Sequence, residues 1–398
     1  MARISRAQRI AFAGAPLVAL LTFAHIANDA FGNILPVFLP TLQKQLGVGE
    51  AVLATFVAVI AITANVMQAV MGVFTDRWGR RKSAALGLLV TSSFLPFVPL
   101  ASNATVLIVL LIIGGLGSAL FHPGAVSLAS DAGEQKSFIV SVFSAGGSLG
   151  TAIMPMVALF VLRAFGAQYV PYLGLVGIVT AAVLIWKAPA QTAAHRANRR
   201  KIFEPSLVFG PVGMLAVAGI LRALAFVSFL NAMPLFLVHV RGFASDAPIL
   251  GTTLAVYNLA AALGAMLVGA LDSRFNRTAL IMGTMLLGVP VLAGTLLAPP
   301  GGLLFYVLVA LGGALTNSSV PLLVVSAQDF APDHVGAASG MLMGFTWGIA
   351  GVIYIGFGAL QQFVGLQPAL YIAFAFLVPA AILAGVVLKK LPRVATAR

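Results

Sequence analysis

The chain has 398 residues, of which 60% are hydrophobic and only 8% are charged. This composition excludes soluble globular and disordered proteins, and it indicates a membrane protein with many spans. The absence of cysteine excludes disulfides, thiolate chemistry and metal sites built on cysteine. The formal net charge is +13, but the basic residues are not clustered among aromatic ones, so we expect no nucleic-acid partner.

Apolar runs separated by charged, glycine or proline breaks predict twelve membrane-spanning helices. The predicted spans are 13–39, 50–74, 84–101, 104–129, 137–161, 168–187, 210–237, 248–271, 278–297, 301–327, 335–362 and 367–388. The sequence therefore predicts an all-α membrane protein. A six-helix bundle over 1–187, a cytoplasmic linker over 188–206 and a second six-helix bundle over 207–398 are expected.

The distribution of basic residues predicts the orientation of these spans. If both termini are cytoplasmic, only Lys44, Arg163 and Arg241 of the 23 Lys and Arg residues lie outside the cell. An excess of Lys and Arg in cytoplasmic segments is typical of membrane proteins. We therefore predict a multi-pass protein of a bacterial inner membrane with cytoplasmic N- and C-termini.

The first span contains an acid and an imidazole. Asp29 lies well inside the span, where a charged side chain that faces lipid costs from about 2.5 to more than 10 kcal/mol. His25 lies one helical turn earlier, on the same face. An acid at this depth indicates a functional site, so the pair is a candidate proton-binding site. The alternative for His25 is a hydrogen bond that only joins two helices.

A basic loop with two glycines follows the second span. From residue 72 to residue 82 it reads Gly-Val-Phe-Thr-Asp-Arg-Trp-Gly-Arg-Arg-Lys. The loop resembles motif A of the major facilitator superfamily, which follows the second helix in that family. The resemblance implies a gate in which charge pairs hold one conformation, whereas the alternative is a loop that only sets topology. The predicted gating residues here and at the cytoplasmic end of the fourth span are Gly72, Asp76, Arg77, Gly79, Arg80 and Asp131.

The fifth span carries glycines at helical spacing, followed by a proline. Small residues let helices pack closely, and a proline bends a helix. The pattern resembles motif C, which marks antiporters of the same superfamily, and close helix packing alone is the alternative. The predicted gating residues of this span are Gly146, Gly147, Gly150 and Pro155.

Three segments together resemble the fosmidomycin resistance protein family of bacterial drug exporters. They are His25, Asn28 and Asp29 in the first span, Phe121-His122-Pro123 in the fourth, and the glycines and proline of the fifth. The resemblance implies the major facilitator fold and export of drugs. The sequence departs from it at Gly124, where that family usually has a glutamate.

The two halves of the chain also resemble each other. Residues 72–80 align with 269–277 at an offset of 197, and Asp131 aligns with Asp329 at an offset of 198. This predicts a duplication of six helices with a substrate site between the halves. Arg222, the only basic residue deep in a span, then corresponds to His25 and is expected to face the same cavity. The alternative for Arg222 is a static counter-ion.

These features predict a secondary transporter that works by alternating access. We expect a proton-coupled antiporter that exports small drug-like molecules, in which Asp29 carries the proton and is tuned by His25 and Arg222. The predicted substrate-binding residues are His122, Asn28, Asn231, Phe226 and Tyr257. The alternative is a carrier of a small anion by proton symport or exchange, with Arg222 as the anion ligand.

Other classes of protein find no support in the sequence. There is no His-x-x-x-His metal spacing, no nucleophile with an adjacent base and no P-loop. We therefore expect no enzymatic activity, no metal, and no cofactor besides the proton as coupling ion. The expected partners are a small-molecule substrate and the lipid bilayer, with the chain acting as a monomer.

Overall fold

The computed structural model describes residues 6–190 and 205–389. Within these residues every regular element is a helix. Eleven helices are long and apolar enough to cross a membrane, and a bent pair of helices, Glu50–Val66 with Gln68–Trp78, makes a twelfth span. The predicted all-α fold with twelve spans is therefore confirmed.

We number the spans in chain order. The first half contains α1 (Ala15–Leu46), α2 (Glu50–Val66 with Gln68–Trp78), α3 (Arg80–Leu100), α4 (Ala104–Ser130), α5 (Phe138–Phe165) and α6 (Ala167–Lys187). The second half contains α7 (Pro211–His239), α8 (Pro248–Leu271), α9 (Arg277–Leu297), α10 (Leu303–Phe330), α11 (Pro332–Val364) and α12 (Leu366–Leu388).

The end of α1 differs from the sequence prediction, which stopped at residue 39. The helix breaks at Asn33 and Ile34, and a second segment then runs from Leu35 to Leu46. Pro36 lies in the first turn of that segment, where an N–H has no intrahelical acceptor to lose. Lys44 lies in the last turn, where the helix dipole favours a cation, so its charge does not end the helix.

Helix contacts within the two halves repeat with a shift of six helices. In the first half α1 packs on α5, and α3 packs on α4 and α6. In the second half α7 packs on α11, and α9 packs on α10 and α12. The pairs that join the halves, α2 with α11 and α5 with α8, exchange under the same shift. Two related six-helix units around a pseudo-twofold axis give this pattern.

The halves meet closely at the end where α1 and α7 finish. Gln43 and His239 are hydrogen-bonded there, with 2.8 Å between Oε1 and Nε2. Gly251 of α8 lies so close to α5 that an added Cβ would be 2.8 Å from the carbonyl oxygen of Pro155. The domain boundaries at 187 and 207 stay predictions, and residues 191–204 of the linker lie outside the described residues.

Candidate functional site

Asp29 of α1 lies between two imidazoles. Its Oδ2 is 3.1 Å from Nε2 of His25, and its Oδ1 is 3.2 Å from Nε2 of His122 in α4. The side chain of His25 is buried, whereas the side chains of Asp29 and His122 are 20% and 23% exposed. The acid is therefore partly accessible, although one of its two imidazole partners is buried. We call these three side chains the His-Asp-His cluster.

Backbone carbonyls fix which ring nitrogens face the acid. Nδ1 of His25 is 2.7 Å from the carbonyl oxygen of Phe143 in α5, and Nδ1 of His122 is 2.8 Å from the carbonyl oxygen of Ser118 in α4. Because a carbonyl oxygen can only accept, each Nδ1 must carry a hydrogen and donate it. In a neutral ring the Nε2 is then left with a lone pair that faces the carboxylate.

The His-Asp-His cluster therefore needs protons to be fully hydrogen-bonded. A neutral Nε2 that faces a carboxylate oxygen is a contact between two acceptors, and it becomes a hydrogen bond only when a proton lies between the atoms. The cluster has two such contacts. With two protons it is equivalent to two imidazolium cations and one carboxylate; without them it is one carboxylate and two neutral rings. The arrangement is suited to binding and releasing protons.

Asn28 connects the His-Asp-His cluster to α4. Its Nδ2 donates to Oδ1 of Asp29 and to Oγ of Ser118, both at 3.0 Å. The side chain is fully buried, and its two donated bonds hold the acid in position. The contacts of Asn28 thus support a positioning role, and its predicted role in substrate binding stays a prediction.

The glycines of α5 make room for the His-Asp-His cluster. A Cβ added at Gly147 would lie 2.5 Å from Oδ2 of Asp29 and 2.6 Å from Nε2 of His25. A Cβ at Gly146 or Gly150 would lie 2.8 Å or 2.1 Å from a carbonyl oxygen of α1. These distances are shorter than van der Waals contact, so a larger residue would displace the backbone of α1 at Gly146 and Gly150 and the side chains of Asp29 and His25 at Gly147. The motif C glycines therefore set both the packing of α1 on α5 and the position of the acid.

Gly124 faces α3 and not the His-Asp-His cluster. An added Cβ would lie 2.7 Å from the carbonyl oxygen of Arg80 and 2.9 Å from the backbone nitrogen of Ala84. A glutamate at this position would have no room without separating α3 from α4. With glycine at this position, Asp29 is the only acid within α1, α4 and α5.

Arg222 of α7 is 1% exposed and makes its contacts within the second half. Its Nη1 lies 3.3 Å from Oδ1 of Asn317 and 3.5 Å from the carbonyl oxygen of Thr316, both in α10. Its guanidinium carbon lies 4.6 Å from the ring centroid of Trp347 in α11. Nε has no hydrogen-bond partner, and no acid in 6–190 or 205–389 pairs with this side chain. Because an unpaired buried cation is costly, the position is suited to the anionic group of a ligand.

Aromatic rings continue from Arg222 into the second half. Trp347 meets Phe226 edge to face with 5.1 Å between ring centroids, and Phe226 meets Tyr257 at 4.9 Å. The structure thus joins two of the predicted substrate-binding residues to Arg222. Asn231 is different, because its Nδ2 donates to a carbonyl oxygen of its own helix, one turn back, at 2.8 Å.

The motif A glycine and arginine lie at the joint between α2 and α3. Gly79 has a φ of 95°, a conformation that favours glycine. Arg80 forms an ion pair with Asp131 at the end of α4. The equivalent residues of the second half, Arg277 and Asp329, form the same ion pair at 2.7 Å. The duplication therefore extends from the sequence to the charge pairs of the two halves.

The remaining motif A residues lie on the surface at this end. Asp76 and Arg77 are exposed. A Cβ added at Gly72 would meet nothing within 4 Å, so this glycine is not required by a close approach in the present conformation. The predicted gating role of all these residues stays a prediction.

The structure regroups the predicted proton and substrate residues. It joins Asp29 and His25 to His122, which the sequence had assigned to the substrate. It does not join Asp29 to Arg222, whose partners all lie in α10 and α11. The sequence missed Ser118 and Phe143, because each presents a backbone carbonyl to a histidine, a contact that no side-chain pattern reveals. The hydroxyl of Ser118 also accepts a bond from Asn28. A signal existed for Ser118, since it corresponds to Thr316, beside Arg222, at an offset of 198.

Among the described residues the His-Asp-His cluster is also the one group with the geometry for a metal ion, with its ligand atoms all within 4.8 Å of one another. Each carboxylate oxygen has its own imidazole at hydrogen-bond distance. Oδ1 of Asp29 also accepts a bond from Asn28. The expectation of no metal and no cofactor besides the proton stays a prediction.

Comparison with known proteins identifies the family. The uncharacterized MFS-type transporter YfnC of Bacillus subtilis (strain 168) is 28% identical over 389 residues, which cover 93% of this chain and 92% of YfnC. The fosmidomycin resistance protein of Escherichia coli (strain K12) is 24% identical over 345 residues, 84% of each chain. The crystal structure of a D-xylose-proton symporter has the same fold, with a TM-score of 0.72 at 15% identity over 92% of this chain and 96% of the symporter. The chain is thus a membrane transporter and not an enzyme. Residues 21–355 match the Major Facilitator Superfamily, and the chain belongs to this superfamily.

Proposed function

We propose that this chain is a proton-coupled antiporter that exports small drug-like molecules, with the His-Asp-His cluster as its proton site. The observation that carries the proposal is the position of Asp29, 3.1 Å and 3.2 Å from two imidazole nitrogens that need protons to bond to it. The similarity to a fosmidomycin resistance protein supports export of a drug-like substrate.

The coupling acts through the helices that hold the His-Asp-His cluster. When protons bind, a hydrogen bond from Nε2 of His122 to Oδ1 of Asp29 links α4 to α1. When they leave, acceptors face acceptors, and the contact loosens. The same α1 and α5 carry Gln43 and Pro155, which hold the two halves together at one end. A proton that moves inward across about 100 mV gains about 2.3 kcal/mol, which can drive export without ATP.

The proposal is tested with purified protein in liposomes that contain a pH-sensitive dye and a mildly acidic lumen. The external substrate panel is fosmidomycin, the cationic dye ethidium and the neutral drug chloramphenicol. A transported substrate enters in exchange for lumenal protons, so the dye reports alkalinisation. Asp29→Asn keeps the shape of the side chain but cannot release a proton, and it is expected to abolish the alkalinisation.

Asp333→Asn is the matched control, because Asp333 is an exposed acid in the short turn at the start of α11. It should behave as the unaltered protein. Exchange of labelled substrate for unlabelled substrate should persist in Asp29→Asn, which shows that this variant is folded and binds. Addition of a chelator should change nothing. Proton movement that persists in Asp29→Asn, or that requires a metal, would contradict the proposal.

Arg222 favours a second candidate function, the carriage of a small anion by symport or exchange with protons. The specific observation is a guanidinium that is 1% exposed and lacks an acid partner among the described residues. In this case Arg222→Gln should weaken binding of fosmidomycin, which carries a phosphonate, about tenfold to a hundredfold and spare binding of ethidium. Equal loss of both ligands would argue against an anion site.

A further inference from the structure

A cavity of about 730 Å³ lies between α3 and α6, beside the end of α2. None of the side chains of the His-Asp-His cluster lines it. Its mouth carries Arg77, Trp78 and Lys82, and the remainder of its lining is apolar. The cavity thus has one basic end and one long apolar wall.

The basic end lacks anionic partners. Arg77 and Lys82 are both exposed, and neither has a hydrogen bond or ion pair with a residue that the structure describes. Lys187, at the end of α6, lies over the ring of its neighbour Trp186 and adds a further positive charge at this end. Asp76 is the adjacent exposed acid, and Asp131 is paired with an arginine. The mouth therefore has an excess of positive charge.

The apolar wall has the shape of a groove. Its floor includes the small buried residues Ala85 and Ala181, and its sides include Leu86, Leu89 and Ile185, which are 38%, 38% and 42% exposed. In a membrane transporter, exposed apolar side chains between helices face lipid acyl chains. From the level of the basic mouth to Leu89, α3 rises about 10 Å. An acyl chain can therefore follow the groove for several carbon atoms.

The second half of the chain retains the fold but only one of the two cations of this basic mouth. At an offset of 197, Arg77 corresponds to Arg274, whereas Lys82 corresponds to Ala279. The second half still packs α9 on α12 and still forms its ion pair with Asp329. Lys82 is therefore not needed for helix packing or for the duplicated ion pair.

We propose that the cavity between α3 and α6 binds an anionic phospholipid. Its phosphate lies between Arg77 and Lys82 and supplies the anion that these side chains lack. One acyl chain lies along the groove, against Leu86 and Leu89. Trp78, which is 52% exposed, provides the aromatic ring that membrane proteins use at the headgroup level. Basic pockets between membrane helices bind such headgroups, and the site is independent of the transported substrate.

The tryptophan content makes the site measurable. The chain has three tryptophans, so Trp186→Phe with Trp347→Phe leaves Trp78 as the only one. The full chain is reconstituted in phosphatidylcholine with rising fractions of phosphatidylglycerol whose acyl chains carry bromine, which quenches tryptophan on contact. Brominated phosphatidylglycerol should quench Trp78 at a mole fraction about tenfold lower than brominated phosphatidylcholine.

Two double variants separate a site from diffuse attraction. Arg77→Gln with Lys82→Ala should bring the ratio of the two lipids close to one. Lys136→Gln with Arg274→Gln removes the same charge from exposed positions at the same end of the molecule and should leave the ratio unchanged. Equal quenching by the two lipids in the unaltered site, or an equal loss of selectivity in both double variants, would overturn the proposal.

Discussion

Gly147→Ala tests whether the geometry of the His-Asp-His cluster sets its affinity for protons. The new Cβ would lie 2.5 Å from Oδ2 of Asp29 and 2.6 Å from Nε2 of His25, whereas an ordinary contact is about 3.5 Å. A retreat of about 1 Å, shared by the two side chains, is enough to break their 3.1 Å contact. The proton-bound state then loses a charge-assisted hydrogen bond of about 1.5 to 3 kcal/mol.

The sign of the effect follows from the two protonation states. The separation stabilises the proton-free state, because the two acceptors, Nε2 of His25 and Oδ2 of Asp29, no longer face each other. It destabilises the proton-bound state, because the hydrogen bond between these atoms is lost. Both effects weaken proton binding. The pH of half-maximal proton-driven transport should therefore fall by about 1 to 2 units. The assay is transport across a series of pH values in proteoliposomes.

The control for this prediction is Gly356→Ala in α11, where an added Cβ meets nothing within 4 Å. This variant should have the pH profile of the unaltered protein. If folded Gly147→Ala protein keeps the original profile, the contact between His25 and Asp29 does not set proton affinity, and the reasoning fails.

Two further predictions concern the ends of the helices. Gln43→Cys with His239→Cys, in a chain that has no other cysteine, should be cross-linked by a short bifunctional methanethiosulfonate, which forms a disulfide with each thiol and releases sulfinate, and transport should stop until a reductant is added. Transport by the cross-linked protein would show that this end need not open. Gly124→Ala should lower the unfolding temperature in detergent, because its Cβ would lie 2.7 Å from the backbone of α3; an unchanged unfolding temperature would show that α3 and α4 separate easily.

The sequence predicted the spans well because membrane solvation imposes long apolar runs. It placed the end of the first span at residue 39, although α1 continues to Leu46. Lys44 is tolerated in the last helical turn, and Pro36 lies where no intrahelical bond is lost. Local composition cannot distinguish a helix that ends from one that restarts after a break of two residues.

The candidate site was predicted in part. The pairing of His25 with Asp29 follows from helical spacing alone, and the structure confirms that contact. The link to His122 depends on the rotation of α4 about its own axis, which spacing within one helix does not determine. The expected tuning of Asp29 by Arg222 stays a prediction. The two side chains have separate partners, because equivalent positions of a duplicated fold lie in equivalent places of their own halves.

This equivalence yields a last prediction, a separation of tasks between the halves. Residues of α1, α4 and α5 build the His-Asp-His cluster, and residues of α7, α10 and α11, shifted by six helices, surround Arg222. One copy of the site holds an acid with two bases, which suits protons; the other holds an unpaired cation, which suits an anionic substrate. Asp29→Asn should therefore abolish the pH dependence of transport and leave the dissociation constant of the substrate within about twofold.

Arg222→Gln should have the opposite effect. It should raise the dissociation constant of an anionic substrate about tenfold to a hundredfold, because one hydrogen bond to a charged group is lost. The pH profile of transport should not move. Both quantities are measured on the same preparation, the dissociation constant by calorimetry in detergent and the pH profile in proteoliposomes. If either substitution alters both quantities to a similar extent, the two sites form one functional unit, and the division of tasks between the halves is wrong.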